Sequence, residues 1–221
     1  MLIKEDWAVE LPVSERDLES VLMDPKSIYI QRAIESLNRT KDKIILQAAA
    51  GPVSIGRNGS TTLTAAADGV QTVNGTGGVT YTILNTLDKN WIDAEVGNEA
   101  PVRKILPVSG DEYVQLMGIT QLTSGDYSRR MPVDTGIQYA MGYELVKFGA
   151  NTDDPILPVS GGVRTAPVLT QDSVALWMAR DIDVEVEKRT DLYKTWQIVV
   201  SMSIGAIRTE GALVQLLTTT D

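Results

Sequence analysis

Between residues 30 and 48, apolar side chains recur with the 3.6-residue period of a helix. Ile30, Ile34, Leu37, Ile44 and Ala48 form the stripe, Ala33 and Ile45 widen it, and Lys41 interrupts it. Asp24-Pro25 is a good helix start, because Asp accepts bonds from the free N–H groups of the first turn and Pro is preset for the first helical position. Gly51-Pro52 stops the run. The pattern predicts a helix of about 26 residues, roughly 39 Å long. Before it, Asp6 to Val13 alternates as an extended segment and runs into the acidic turn Ser14 to Ser20.

After the helix the pattern dissolves into glycine, threonine, serine and alanine. Gly51, Gly56, Gly59, Gly69, Gly75, Gly77 and Gly78 mark loops and short hairpins through Gly78. A second helix is predicted over Val79 to Ala94, with Ile83, Leu84, Leu87, Trp91 and Ile92 on one face. Val102 to Val108 reads as a strand, and Ser109 to Met117 as a short helix whose Ser109 and Glu112 have capping-box spacing. Gly118 to Gly136 is polar and turn-rich, Gly142 to Phe148 reads as a strand, and Gly149 to Gly162 as an exposed loop. The final third is the most β-like: Val174 to Met178, Ile182 to Glu187 in strict alternation, a charged turn over Glu187 to Asp191, Thr195 to Arg208, and Ala212 to Leu217.

Composition narrows the chemistry. The chain has 221 residues, 43% hydrophobic and 22% charged, so it folds as one sizeable unit or two small lobes. With no cysteine and no histidine, disulfides, thiolate zinc sites, Cys nucleophiles and His general bases are excluded, leaving carboxylate, Lys, Ser or Tyr chemistry or an all-oxygen metal site. A net charge of −9 argues against tight grip on nucleic acid, which needs clustered Lys and Arg. No apolar run reaches membrane-spanning length, and Lys4, Glu5 and Asp6 stand where a signal peptide needs an apolar core, so the expectation is a soluble protein made in the cytosol.

Few groupings suggest a site. Asp181, Asp183, Glu185 and Glu187 have strand spacing and read as a solvated edge face, with Ile182, Val184 and Val186 on the other side. A calcium loop would want Gly turns and a bidentate Glu at fixed spacing, which this cluster lacks; Asp153-Asp154 is the other grouping that could suggest metal or acid–base work, and no catalysis is assigned to it. Gly56-Arg57-Asn58-Gly59-Ser60 lacks the Lys-Ser/Thr ending of a phosphate loop, and Arg129-Arg130 reads as a solvated pair. Trp7, Trp91, Trp177 and Trp196 lie on apolar faces and are read as packing anchors. The expectation is therefore no catalytic, cofactor-binding or metal-binding residue and no enzyme.

Taken in order, the elements resemble the C-terminal two-thirds of a tailed-phage major capsid protein of the Hong Kong 97 type, a fold shared with encapsulin compartments. Asp6-Trp7-Ala8-Val9 and Ser14 to Asp17 look like the returning strand of the extended E-loop, and Asp24 to Gly51 like the long spine helix. Lys188 to Tyr193 leading into Trp196 to Val200, then Gly205 to Gly211 and Val214 to Leu217, are similar to the closing strands of that family. Ser109 to Met117 and Tyr127 to Phe148 fit its axial domain.

The resemblance implies an α+β fold. Its peripheral domain takes residues 1–78 and 172–211, with an E-loop remnant over 1–20 and the spine helix over 25–50. Its axial domain takes 79–171 and 212–221. Against that pattern the N-terminal arm and the outgoing half of the E-loop are missing, as in a shortened chain or an unusual member. It also implies hexamers and pentamers in an icosahedral virion shell, made in the host cytoplasm. That shell encloses double-stranded DNA without specific binding, has portal, scaffolding and cement proteins as partners, and needs no membrane and no cofactor. The alternatives are an encapsulin-like compartment around a cargo enzyme, and a monomeric ligand-binding or hydrolytic domain.

Overall fold

The structure is a computed structural model and describes residues 4–13, 26–56, 58–75, 77–97, 101–123, 138–149, 154–189, 191 and 195–220. In chain order the elements are β1 (Glu5–Val13), α1 (Lys26–Ala50), β2 (Val53–Ile55), β3 (Thr61–Leu63), β4 (Gln71–Gly75), α2 (Tyr81–Asp93) and β5 (Lys104–Val108). There follow α3 (Gly110–Met117), α4 (Thr120–Thr123), β6 (Tyr139–Ala140), β7 (Tyr143–Lys147), β8 (Val159–Ser160) and β9 (Val163–Thr170). The last three are β10 (Val174–Arg189), β11 (Thr195–Arg208) and β12 (Val214–Thr220). Two single 3-10 turns lie at Ala66–Asp68 and Gly211–Leu213. The α+β class expected from the sequence is observed. The predicted acidic turn 14–20, the helix start at Asp24-Pro25, Arg57, Arg129-Arg130 and Asp153 lie outside the described residues.

The chain divides into two compact units, one of residues 46–175 and 207–221, the other of 2–45 and 176–206. The division falls inside α1, β10 and β11. Residues 46–78, grouped with the peripheral lobe in the sequence reading, are in the unit that also holds residues 79–171.

The first unit is built on a sheet of order β4-β12-β9-β5-β7-β6, with β8 on β9. β12 runs parallel to β4, Gln215 opposite Gln71, and antiparallel to β9, Leu217 opposite Ala166. β5 runs parallel to β7, Leu106 opposite Leu145. Leu84, Leu87 and Trp91 of α2 are completely buried, each contributing roughly 2 kcal/mol of apolar burial. Gln215 donates to the carbonyl of Leu87 and accepts from Asn90, which fixes α2 to β12. At α3 the predicted capping box is complete, and the spare oxygen of buried Glu112 accepts from Thr219 of β12 at 2.6 Å. Ile92 does not join the α2 face: it is 57% exposed.

In this unit β9 is the strand the sequence pattern misses. It carries Pro167 and follows Gly161-Gly162, where the expected loop ends, yet it lies between β12 and β5. Proline is tolerated because the ladder to β5 covers only Leu169 and Thr170, and Pro167 lies beyond it. The loop expected to be exposed over Gly149 to Gly162 contains β8 and the buried Leu157.

The second unit is a three-stranded sheet, β1-β11-β10, with the first part of α1 packed on one face. β1 and β11 are antiparallel, Val9 opposite Val200 and Val13 opposite Trp196. Alternation along β11 turns Ile198, Val200, Met202 and Ile204 inward against Ala33, Leu37 and Ile44 of α1, with Ile30 and Ile34 half-buried beside them. This is the 3.6-residue stripe meeting a two-residue stripe. Val174 to Met178 and Ile182 to Glu187, read as separate strands from the sequence, are one continuous strand.

Candidate assembly surface

β10 is a sheet edge, and none of its 16 residues is buried. Its odd positions carry Trp177, Asp181, Asp183, Glu185 and Glu187, and its even positions carry Leu176, Met178, Ile182, Val184 and Val186. Ile182 touches the apolar cluster under α1, and Lys41 of α1 reaches Met178 sulfur at 3.3 Å. Leu176, Met178, Val184 and Val186 remain exposed, and so does Trp177 at 48%. Exposed apolar side chains in a row mark a contact surface more often than a solvated one.

The carboxylates stand where the sequence puts them, on one side of an edge strand. Among the described residues no group of three or more acidic side chains is gathered to hold a metal ion. Asp154 is exposed and makes contacts of its own. The tryptophans split. Trp91 is an interior anchor and Trp196 is half-buried against the α1 cluster, with Lys188 over its ring at 5.4 Å. Trp7 and Trp177 are surface residues, which corrects the expectation that all four pack inside. Trp7 faces Met202 across the sheet, so a side chain on the inward register is still 41% exposed.

At one end of the same sheet Lys4, Asp6, Trp7, Ala8, Ala179, Arg180, Ser201, Met202 and Ser203 line a groove of 490 Å³. A hydrogen bond from the Ser203 hydroxyl holds the Asp6 carboxyl below its usual range, with Lys4 at 3.2 Å reinforcing it. At the far end of the sheet Arg189 clamps Asp191 and donates to Gln197 at 3.0 Å.

A second constellation is structural. Arg208, fully buried, donates to the carbonyls of Ala49 and Gly51 at the end of α1 and to Asp68 at 2.9 Å. One guanidinium therefore satisfies C-terminal carbonyls that a helix leaves free and supplies the positive charge its dipole favours. The sequence marks this arginine only as part of the Gly205 to Gly211 stretch; its role depends on partners 140 and more residues away. The arrangement offers broad contact surfaces and buried struts, and no described cleft assembles groups in the geometry of acid–base or nucleophilic catalysis.

One unit is thus a helix on an open three-stranded sheet, and the other is built on a larger mixed sheet. The structure superposes on that of Mycobacterium phage Che8 with a TM-score of 0.69 at 16% identity, covering 96% of this chain and 70% of that one. For the capsid of cyanophage P-SCSP1u the values are 0.66 and 17%, covering 99% and 73%. A virus-like particle from Pyrococcus furiosus matches with 0.58 and 13%, covering 96% and 76%. No curated protein matches by sequence. Residues 2–219 match the phage capsid protein family, and the chain belongs to that family. It is a structural capsid shell protein, with the fold that the resemblance implies.

Proposed function

We propose that this chain is the repeating subunit of an icosahedral phage head, arranged in hexamers and pentamers around packaged double-stranded DNA. The carrying observation is the family match over residues 2–219, which spans nearly the whole chain. The unit of 2–45 and 176–206 serves as the peripheral domain and the unit of 46–175 and 207–221 as the axial domain, with α1 as the spine helix. The protein works without catalytic residue, cofactor or metal. It encloses the genome without specific binding, is made in the host cytoplasm, ends in the virion, and meets portal, scaffolding and cement proteins there. An acidic subunit suits this role, since a wall rich in Lys and Arg would hold DNA that must slide.

Size-exclusion chromatography and electron microscopy of the purified protein test the reading. Closed particles of megadalton mass are expected. A stable monomer that binds a small ligand saturably overturns it, and particles that enclose a protein cargo in place of nucleic acid favour the compartment alternative.

A further inference from the structure

The outer edge of β10 is unpaired among the described residues, and an exposed strand edge is a template for another strand. Its hydrogen-bonding direction is visible: the N–H of Ile182 donates to the side chain of its own neighbour Asp181 at 2.8 Å, so it points away from β11. Because backbone direction alternates along a strand, the even-numbered residues present their N–H and C=O groups to the open edge and the odd-numbered ones bond inward.

We infer that β10 pairs antiparallel with β10 of a second copy about a two-fold axis at Ala179, joining two three-stranded sheets into one. The inference rests on the assignment to a shell built of many copies. A two-fold axis makes the contact self-complementary and allows only registers centred on a residue. Charge then selects among them. An axis at Arg180 sets two guanidiniums opposite each other, and one at Asp181, Asp183, Glu185 or Glu187 sets two carboxylates opposite each other. An axis at Ile182 opposes Asp181 to Asp183, at Val184 it opposes Asp183 to Glu185, and at Val186 it opposes Glu185 to Glu187. Like charges directly opposite destabilise a strand pair.

Centred on Ala179, the register opposes Leu176 to Ile182, Trp177 to Asp181 and Met178 to Arg180, with no like-charged pair. Moving the axis further toward the strand's start shortens the ladder. In the Ala179 register Leu176 and Met178, exposed on the free subunit, gain a neighbouring strand on their own face of the sheet. The acidic stretch Asp183 to Glu187 stays at the outer ends, clear of its own copy.

The absence of cysteine gives a clean test. Ala179 sits on the axis at a non-hydrogen-bonded position, where opposed Cβ atoms approach to about 4.5–5.5 Å, close to the spacing a disulfide takes. Ala179→Cys particles, mildly oxidised, should run largely as disulfide dimers on a non-reducing gel, while Val186→Cys particles should not. In wild-type particles, amide exchange across Leu176 to Ile182 should slow by about tenfold or more relative to dissociated subunits. Particles in which Ala179→Cys gives no more dimer than Val186→Cys overturn the pairing and leave the shell assignment standing. Exchange protection without the disulfide also overturns it, because another segment then covers the edge. If Ala179→Cys fails to assemble, the wild-type exchange decides alone: unprotected amides overturn the pairing. A wild-type protein that never forms particles overturns the shell reading and the pairing with it.

Discussion

Single residues fix the larger sheet unit at a few points of close approach. Gly211 is one: a methyl group there would collide with the carbonyl oxygen of Asp68, a contact no side chain can make without moving backbone. Gly211→Ala should therefore cost about 3 kcal/mol by overpacking, read as a lowered midpoint in urea at unchanged slope. Tyr143 is another. Burial, helped by the Asp88 carboxylate and opposed by the nearby Trp91 indole, pushes its hydroxyl well above the ordinary value of 10.0. Among the described residues the hydroxyl has no hydrogen-bond partner. A raised folded-state pKa means that the contribution of the neutral phenol is whole below pH 10 and lost as pH rises, since the unfolded chain ionises first. Stability should fall from about pH 10 upward in the wild type. In Tyr143→Phe that part of the alkaline loss should vanish, as thermal melts across pH would record.

At the scale of elements, strongly periodic segments were legible and context-dependent ones were not. α1, α2, α3 and β11 follow the sequence pattern because one face of each is buried and the others are polar. Leu37 shows the consequence: 1% exposed beneath the sheet, it should lose about 4 kcal/mol as Leu37→Asp, with loss of soluble protein in expression trials. β9 was hidden because a proline inside a central strand is readable only once its neighbours' ladder is known. Leu176, Trp177 and Met178 were legible as strand but not as surface. Hydrophobicity alone directs them inward, and only the three-stranded sheet shows that they stay exposed among the described residues. The candidate surface was thus half visible: its carboxylates were read as an edge, while Trp177 was read as a packing anchor.

For the whole molecule, the inventory of residues carried the exclusion and the order of elements carried the assignment. The lack of His and Cys, by itself, says little beyond the chemistry it removes. Net charge makes a direct statement about cargo. Dissociated subunits at physiological salt should leave double-stranded DNA unshifted in a native gel. A retarded band would show that the shell grips what it encloses.

The strand order of the larger sheet also sets a timetable. β12, which follows every other described strand in the sequence, lies between β4 and β9, and Arg208, just before it, closes the end of α1. While the ribosome is still translating, β4 has no partner on this side and the carbonyls of Ala49 and Gly51 have no guanidinium. Without β12 nothing joins β4 to β9, so a chain cut before Val214 should leave the larger sheet open and lower its melting temperature, as a thermal melt would record.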